Sequence, residues 1–84
     1  MSYFLYILEC ADKSLYTGCT NDLKRRVLQH NTSPRGAKYT KARRPVTLLY
    51  TEPFATRGAA LKREAEIKGW KRSDKLALLH RTKA

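Results

Sequence analysis

One carboxylate in the second half of the chain points the wrong way for an ordinary surface residue. Between Ala60 and Ile67 the sequence reads as a helix turning about 100° per residue. Ala60, Leu61 and Ile67 then define an inward arc, and Glu64 projects from the middle of it. Lys62 and Glu66 fall on the opposite side, with Arg63 on a flank. An inward carboxylate costs desolvation free energy unless a cation meets it. An arginine in a salt bridge would serve, and so would a divalent metal ion, for which carboxylate oxygen is a suitable ligand. Spacing alone admits both.

A second helical stretch carries Arg26 and His30, four residues apart and so on one line along the helix. Leu23 and Val27 mark its buried stripe; Arg26 and His30 lie along the stripe's edge, whereas Arg25 points nearly opposite. By itself an edge arginine is satisfied by laying its stem on apolar surface, and a helix-end histidine by partial burial. Tyr6 and Tyr16 are separated by an even number of residues. If a hairpin with an odd-length loop joins their strands, both phenols share one sheet face as cross-strand or diagonal neighbours. A two-residue loop would put them on opposite faces.

These side chains need a scaffold, and the hydrophobic pattern supplies one. Tyr3 to Leu8 is a run of β-formers apolar on both faces, which reads as a central strand. Ser14 to Cys19 follows as its hairpin partner. Asn21-Asp22 offers an N-cap for a helix running to about His30, and Asn31 to Arg44 is a polar, basic loop. A third strand runs from Pro45 to Thr51 and is ended by Pro53. Thr56 caps the helix that bears Glu64, which runs to about Lys68 or Gly69, and Ser73-Asp74 caps a last short helix. The expected architecture is a single α+β domain over residues 1–84, a three-stranded antiparallel sheet flanked by helices in the order ββαβαα.

Composition narrows the partners. The 84 residues include 18 Lys and Arg against 7 Asp and Glu, a net charge of +11. So small a domain has little room for a large buried cofactor, and its basic surface suits a polyanion such as nucleic acid. Cys10 and Cys19 make no disulfide framework. With His30 and His80 they do not match the close ligand pairing of a structural zinc site. Free thiols in a reducing, cytoplasmic setting are expected. The run from Tyr3 to Leu8 is too short to span a membrane and lacks the flanks of a signal peptide.

Taken together the motifs resemble the GIY-YIG nucleases. Phe4-Leu5-Tyr6 and Tyr16-Thr17-Gly18 are similar to the paired GIY and YIG elements, with Phe4 in place of the first glycine. Gly18-Cys19-Thr20-Asn21-Asp22-Leu23, followed by Arg26 and His30, resembles the family's G-x-T-x-D-L…R…H stretch. Glu64 with Ile67-Lys68, Trp70 and Arg72 resembles its E-x-x-IK-x-W-x-R segment. Gly36-Ala37-Lys38-Tyr39-Thr40 is similar to the GA-x-YT loop of the small stand-alone bacterial members.

The resemblance implies a fold and a chemistry. Tyr6 and Tyr16 would position and deprotonate the attacking water, and Arg26 would stabilise the transition-state charge. His30 would assist the tyrosines, and Glu64 would hold Mg²⁺ or Mn²⁺. The expected activity is metal-dependent endonucleolytic hydrolysis of DNA, with DNA rather than RNA as the substrate. The alternative is a DNA- or RNA-binding module that keeps the fold without catalysis. The larger nucleases carry separate DNA-binding domains, so here target choice would fall on Lys24, Arg25, Arg35, Lys38, Lys41, Arg43 and Arg44. Phosphate contacts position a protein without specifying sequence. Low sequence selectivity on single-stranded, duplex or branched DNA is the consequence.

Overall fold

The structure is a computed structural model that describes residues 2–81, the side chain of residue 81 excepted. Strands β1 (Tyr3–Glu9), β2 (Leu15–Thr20) and β3 (Thr47–Phe54) form one antiparallel sheet in the order β2-β1-β3. The run of β-formers is therefore the central strand, and Leu5, Tyr6, Ile7 and Leu8 are all buried. Helix α1 (Leu23–Thr32) covers one face of the sheet. There Tyr6, Leu8, Cys10 and Val46 pack with Tyr16, Leu23 and Val27. Helices α3 (Arg57–Lys68) and α4 (Arg72–Arg81) cover the other face, where Leu5 and Ile7 meet Ile67 and Leu79.

The caps follow the sequence signals. Asp22 accepts from the Arg25 amide at 3.1 Å to start α1, and Thr56 accepts from the Ala59 amide at 3.2 Å to start α3. Three details depart from expectation. The basic loop contains a one-turn helix, α2 (Lys38–Lys41), so the order is ββα, a short α, then βαα. Strand β3 continues through Pro53, which pairs with Phe4. It is tolerated because β3 is an edge strand with one side free of ladder partners. Leu61 is 40% exposed. The inward stripe of α3 is narrower than apolarity suggests, holding Ala60 and Ile67 with half-buried Glu64 between them. No helix among the described residues is long and apolar enough to cross a membrane.

Candidate active site

The β1–β2 loop spans residues 10–14, an odd length, and its register pairs Tyr6 with Gly18 and Leu8 with Tyr16. Both tyrosines consequently lie on the α1 face as diagonal neighbours, their ring centroids 6.4 Å apart. The Tyr6 ring lies directly over the backbone of Gly18. A Cβ at that glycine would come within 2.5 Å of the Tyr6 hydroxyl and 2.6 Å of Cζ. Space, rather than an unusual backbone angle, is what demands glycine here.

His30 is wholly buried between the tyrosines and α2. Its two ring nitrogens meet the Tyr6 hydroxyl at Nε2 and the Thr40 hydroxyl at Nδ1, each at 2.7 Å. The direction of these bonds follows from counting protons. Thr40 has one hydroxyl proton and donates it to the Ala37 carbonyl at 3.0 Å, so it accepts from His30 Nδ1–H. Nε2 then carries the lone pair and accepts from the Tyr6 hydroxyl. Burial first, then the positive charges of Arg26 and Arg44, push the imidazole pKa down to about 4, so His30 is neutral at pH 7. Burial likewise raises the Tyr6 phenol to about 12. A hydrogen-bonding Arg26 opposes that rise, and negative charge on Tyr16 or Glu64 would add to it.

Arg26 is held by two acceptors, the Gln29 side chain at 2.9 Å and the Arg35 carbonyl at 3.0 Å. Beside it a cavity of about 150 Å³ is lined by Thr20, Asn21, Asp22, Arg25, Arg26 and Gln29. Glu64 comes from the opposite sheet face and approaches the tyrosines around the edge strand β2. Its side chain is 18% exposed, and it accepts from the Cys19 thiol at 2.7 Å and the Lys68 ammonium at 2.6 Å. Lys68 in turn lies 5.8 Å over the Tyr16 ring. Among the described residues no arginine pairs with Glu64; Arg63 is turned to Glu52 and Glu66. The structure thus gathers Tyr6, Tyr16, His30 and Arg26 on the α1 face, with Glu64 close enough for its charge to act on Tyr6.

Glu64 offers a single carboxylate, the oxygen ligand a hard cation takes, flanked by a thiol and an ammonium. No group of three or more His, Cys, Asp or Glu that could hold a metal occurs among the described residues. Mg²⁺ does not need one, since it keeps several waters and takes one or two carboxylates together with substrate phosphates. The Lys68 pair is an i,i+4 contact with a half-exposed lysine. Such pairs stabilise by only a few tenths of a kcal/mol, so the ammonium is a weakly held partner.

The basic residues divide into two kinds. Lys24, Arg25, Arg35, Lys38 and Lys41 are exposed on α1, α2 and the loop between them. Arg44 instead donates to the carbonyls of His30, Ser33 and Gln29 at 2.6, 2.6 and 3.3 Å, closing the C-terminal end of α1. Arg43 is stacked on Tyr39 with its guanidinium carbon 3.9 Å from the ring centroid. Gly18, Cys19, Tyr39, Thr40 and Lys68 are parts of this site that residue spacing did not single out. All five lie within the family-like motifs, at positions for which the resemblance implies no role. Thr40 is buried by a one-turn helix too short to leave a periodic signal.

The GIY-YIG catalytic domain family model matches residues 2–77. A UPF0213 protein of Staphylococcus saprophyticus is 52% identical over 77 residues, covering 92% of this chain and 93% of its own. A UPF0213 protein of Staphylococcus aureus is 54% identical over 78 residues, covering 93% and 94%. Among solved structures, the solution structure of a UPF0213 protein from Bacillus halodurans matches with a TM-score of 0.62 at 42% identity. It covers 95% of this chain and 84% of that one. The solution structure of a protein from E. faecalis matches with a TM-score of 0.65 at 40% identity, covering 98% of this chain and 86% of that one.

Proposed function

Since the chain belongs to the GIY-YIG catalytic domain family, a nuclease superfamily, we propose that it is a divalent-metal-dependent endonuclease hydrolysing DNA phosphodiester bonds with little sequence selectivity of its own. One observation carries the reading. The hydrogen bonds from Tyr6 through His30 to Thr40 and the Ala37 carbonyl all point inward, so the phenol has a neutral, oriented acceptor behind it.

Between a Tyr6 pKa of about 12 and a His30 pKa of about 4, the shared proton rests on the phenol. That gap holds the relay shut until His30 becomes more basic; then, as water attacks phosphorus, its proton would pass to the phenolic oxygen while the phenol's own moves to Nε2. Attack forms one P–O bond and breaks the bond to the leaving sugar oxygen, which takes up a proton from solvent. A substrate phosphate docked on Arg26 would neutralise a charge that now depresses His30, making the imidazole more basic when substrate is present. Arg26 would then hold the charge that gathers on the phosphoryl oxygens. Tyr16 would orient the water beside Tyr6. Glu64 would hold Mg²⁺ or Mn²⁺, whose contribution when bound is Lewis-acid stabilisation of the leaving-group charge. Exposed Lys24, Arg25, Arg35, Lys38 and Lys41 would contact phosphates.

A second reading, a DNA- or RNA-binding module without catalysis, draws on Cys19 and Lys68 engaging both oxygens of Glu64. Labelled single-stranded, duplex and branched DNA, incubated with and without Mg²⁺ or Mn²⁺, separates the two. Metal-dependent products are expected, reduced by orders of magnitude in Glu64→Gln while DNA binding persists. A folded Glu64→Gln that cuts normally would remove the metal role. Binding without products under any metal would favour the binding module.

A further inference from the structure

The segment after α1 and the β1–β2 hairpin loop meet at a stacked column beside the site. Tyr16 and Tyr39 stack with centroids 6.0 Å apart and planes 27° from parallel. The Arg43 guanidinium lies on Tyr39, its carbon 3.9 Å from the ring centroid. Arg43 is itself fixed at several points. Its Nε donates to Asp12 at 3.1 Å and its Nη1 to the Tyr39 carbonyl at 2.9 Å. Its backbone amide donates to the Thr40 carbonyl, and its carbonyl accepts from the Ala11 amide at 2.9 Å. Asp12 is in turn held by the amide and hydroxyl of Ser14.

A phosphate-binding arginine usually presents its fork of donors to the ligand. This one spends two of its donors on the protein and offers its flat face to an aromatic ring. Tyr16 needs such support. Its ring sits on an edge strand, with His30 edge-on at 5.1 Å on one side and Lys68 over the ring. Tyr39 supplies a wall, and Arg43 holds that wall in place.

We propose that Tyr39 and Arg43 are positioning residues for Tyr16, forming a column anchored on Asp12 that fixes the direction of the Tyr16 phenol. The inference rests on the nuclease reading for its effect on rate, but the column itself is testable without it. A planar, delocalised cation over an aromatic face is a geometry that lysine cannot reproduce. Displacing a catalytic group by about 1 Å costs on the order of 100-fold in rate.

The test compares Arg43→Ala, Arg43→Lys, Tyr39→Phe and Tyr39→Leu with the unaltered protein. Cutting of labelled DNA, the salt slope of DNA binding and the Tyr16 ring resonances by NMR are measured for each. Arg43→Ala, Arg43→Lys and Tyr39→Leu should lower kcat by about 10- to 100-fold with KM little changed. Tyr39→Phe, which keeps the stack, should retain the rate. Arg43→Ala removes no ring, so a shift of the Tyr16 resonances reads movement of the column directly. A salt slope reduced by about one, with raised KM and intact kcat, would make Arg43 a phosphate contact and overturn the proposal. Unmoved Tyr16 resonances in Arg43→Ala would overturn it too. If the unaltered protein gives no products with any metal, the nuclease reading fails, and the NMR arm still decides the column.

Discussion

Gly18→Ala is the smallest change that should silence the site. The added Cβ would stand 2.5 Å from the Tyr6 hydroxyl and 2.6 Å from Cζ, where ordinary contact begins at 3.4 Å. The ring must therefore give by about 1 Å. It cannot give toward α1, because buried His30 already sits 2.7 Å from the phenolic oxygen. It tilts instead, and the bond to Nε2 is lost or bent. Overpacking of this kind costs about 1–3 kcal/mol, offset in part by about 0.5–1 kcal/mol from replacing a strand glycine. A misplacement of that size costs on the order of 100-fold in rate. Initial rates on labelled DNA and denaturant midpoints would be read side by side. Cutting should fall much further than the loss of stability explains. In a Tyr6→Phe background Cζ still stands 2.6 Å away, but without the hydroxyl against His30 Nε2 the ring can move toward α1, so the alanine should destabilise less. Wild-type rate and stability in Gly18→Ala would refute the idea that this glycine exists to seat the phenol.

Two further outcomes follow from the burial of His30 and the engagement of Arg44. The native imidazole takes up its proton only near pH 4, whereas in the unfolded chain it does so near its ordinary value of 6.5. Acid therefore favours the unfolded chain: stability should fall from pH 6.5 toward 4 with a slope approaching 1.4 kcal/mol per pH unit. His30→Gln, compared by denaturant titration at several pH values, should lack that slope; parallel curves for the two proteins would contradict it. Arg44→Ala removes three hydrogen bonds to carbonyls at the end of α1 and should destabilise by about 1–3 kcal/mol. It should leave the salt slope of DNA binding unchanged. A slope reduced by about one would instead make Arg44 a phosphate contact.

Much of this arrangement is legible in the sequence because its periodicities are clean. The even separation of Tyr6 and Tyr16, with an odd loop, put both on one face, and the four-residue spacing of Arg26 and His30 aligned them on α1. Glu64 could be read as inward because Ala60 and Ile67 flank it at helical spacing. What stayed hidden depends on contacts between distant segments. Thr40 is 10 residues from His30, on a helix of only four residues. The tautomer of His30 rests on that contact and could not be read from either residue alone. Cys19 meets Glu64 because the edge of β2 lies beneath α3, a matter of packing rather than pattern, whereas Lys68 meets it through plain i,i+4 spacing on α3. Arg43 and Arg44 look like any basic pair until the chain folds back and supplies acceptors for both. Leu61 misled for the opposite reason, since an apolar side chain at the margin of a narrow stripe need not be buried.

The site combines two kinds of residue that differ in how chemistry is tied to stability. Tyr6, His30 and Thr40 are at most 1% exposed. Tyr6 belongs to the core beneath α1, and His30 and Thr40 are buried behind its hydroxyl. Their substitution must disturb folding and reaction together, because a partner removed there leaves a buried polar group unmet. Glu64 and Lys68 are different. Glu64 is part-buried against Cys19 but its partner Lys68 is half-exposed, and such an i,i+4 pair contributes little to stability, so their chemistry can be altered at less cost to the fold. This division makes variants at the edge the cleaner probes of the reaction. It also locates where the energy of preorganisation resides: in the buried chain from Tyr6 to the Ala37 carbonyl, which is oriented before any substrate arrives.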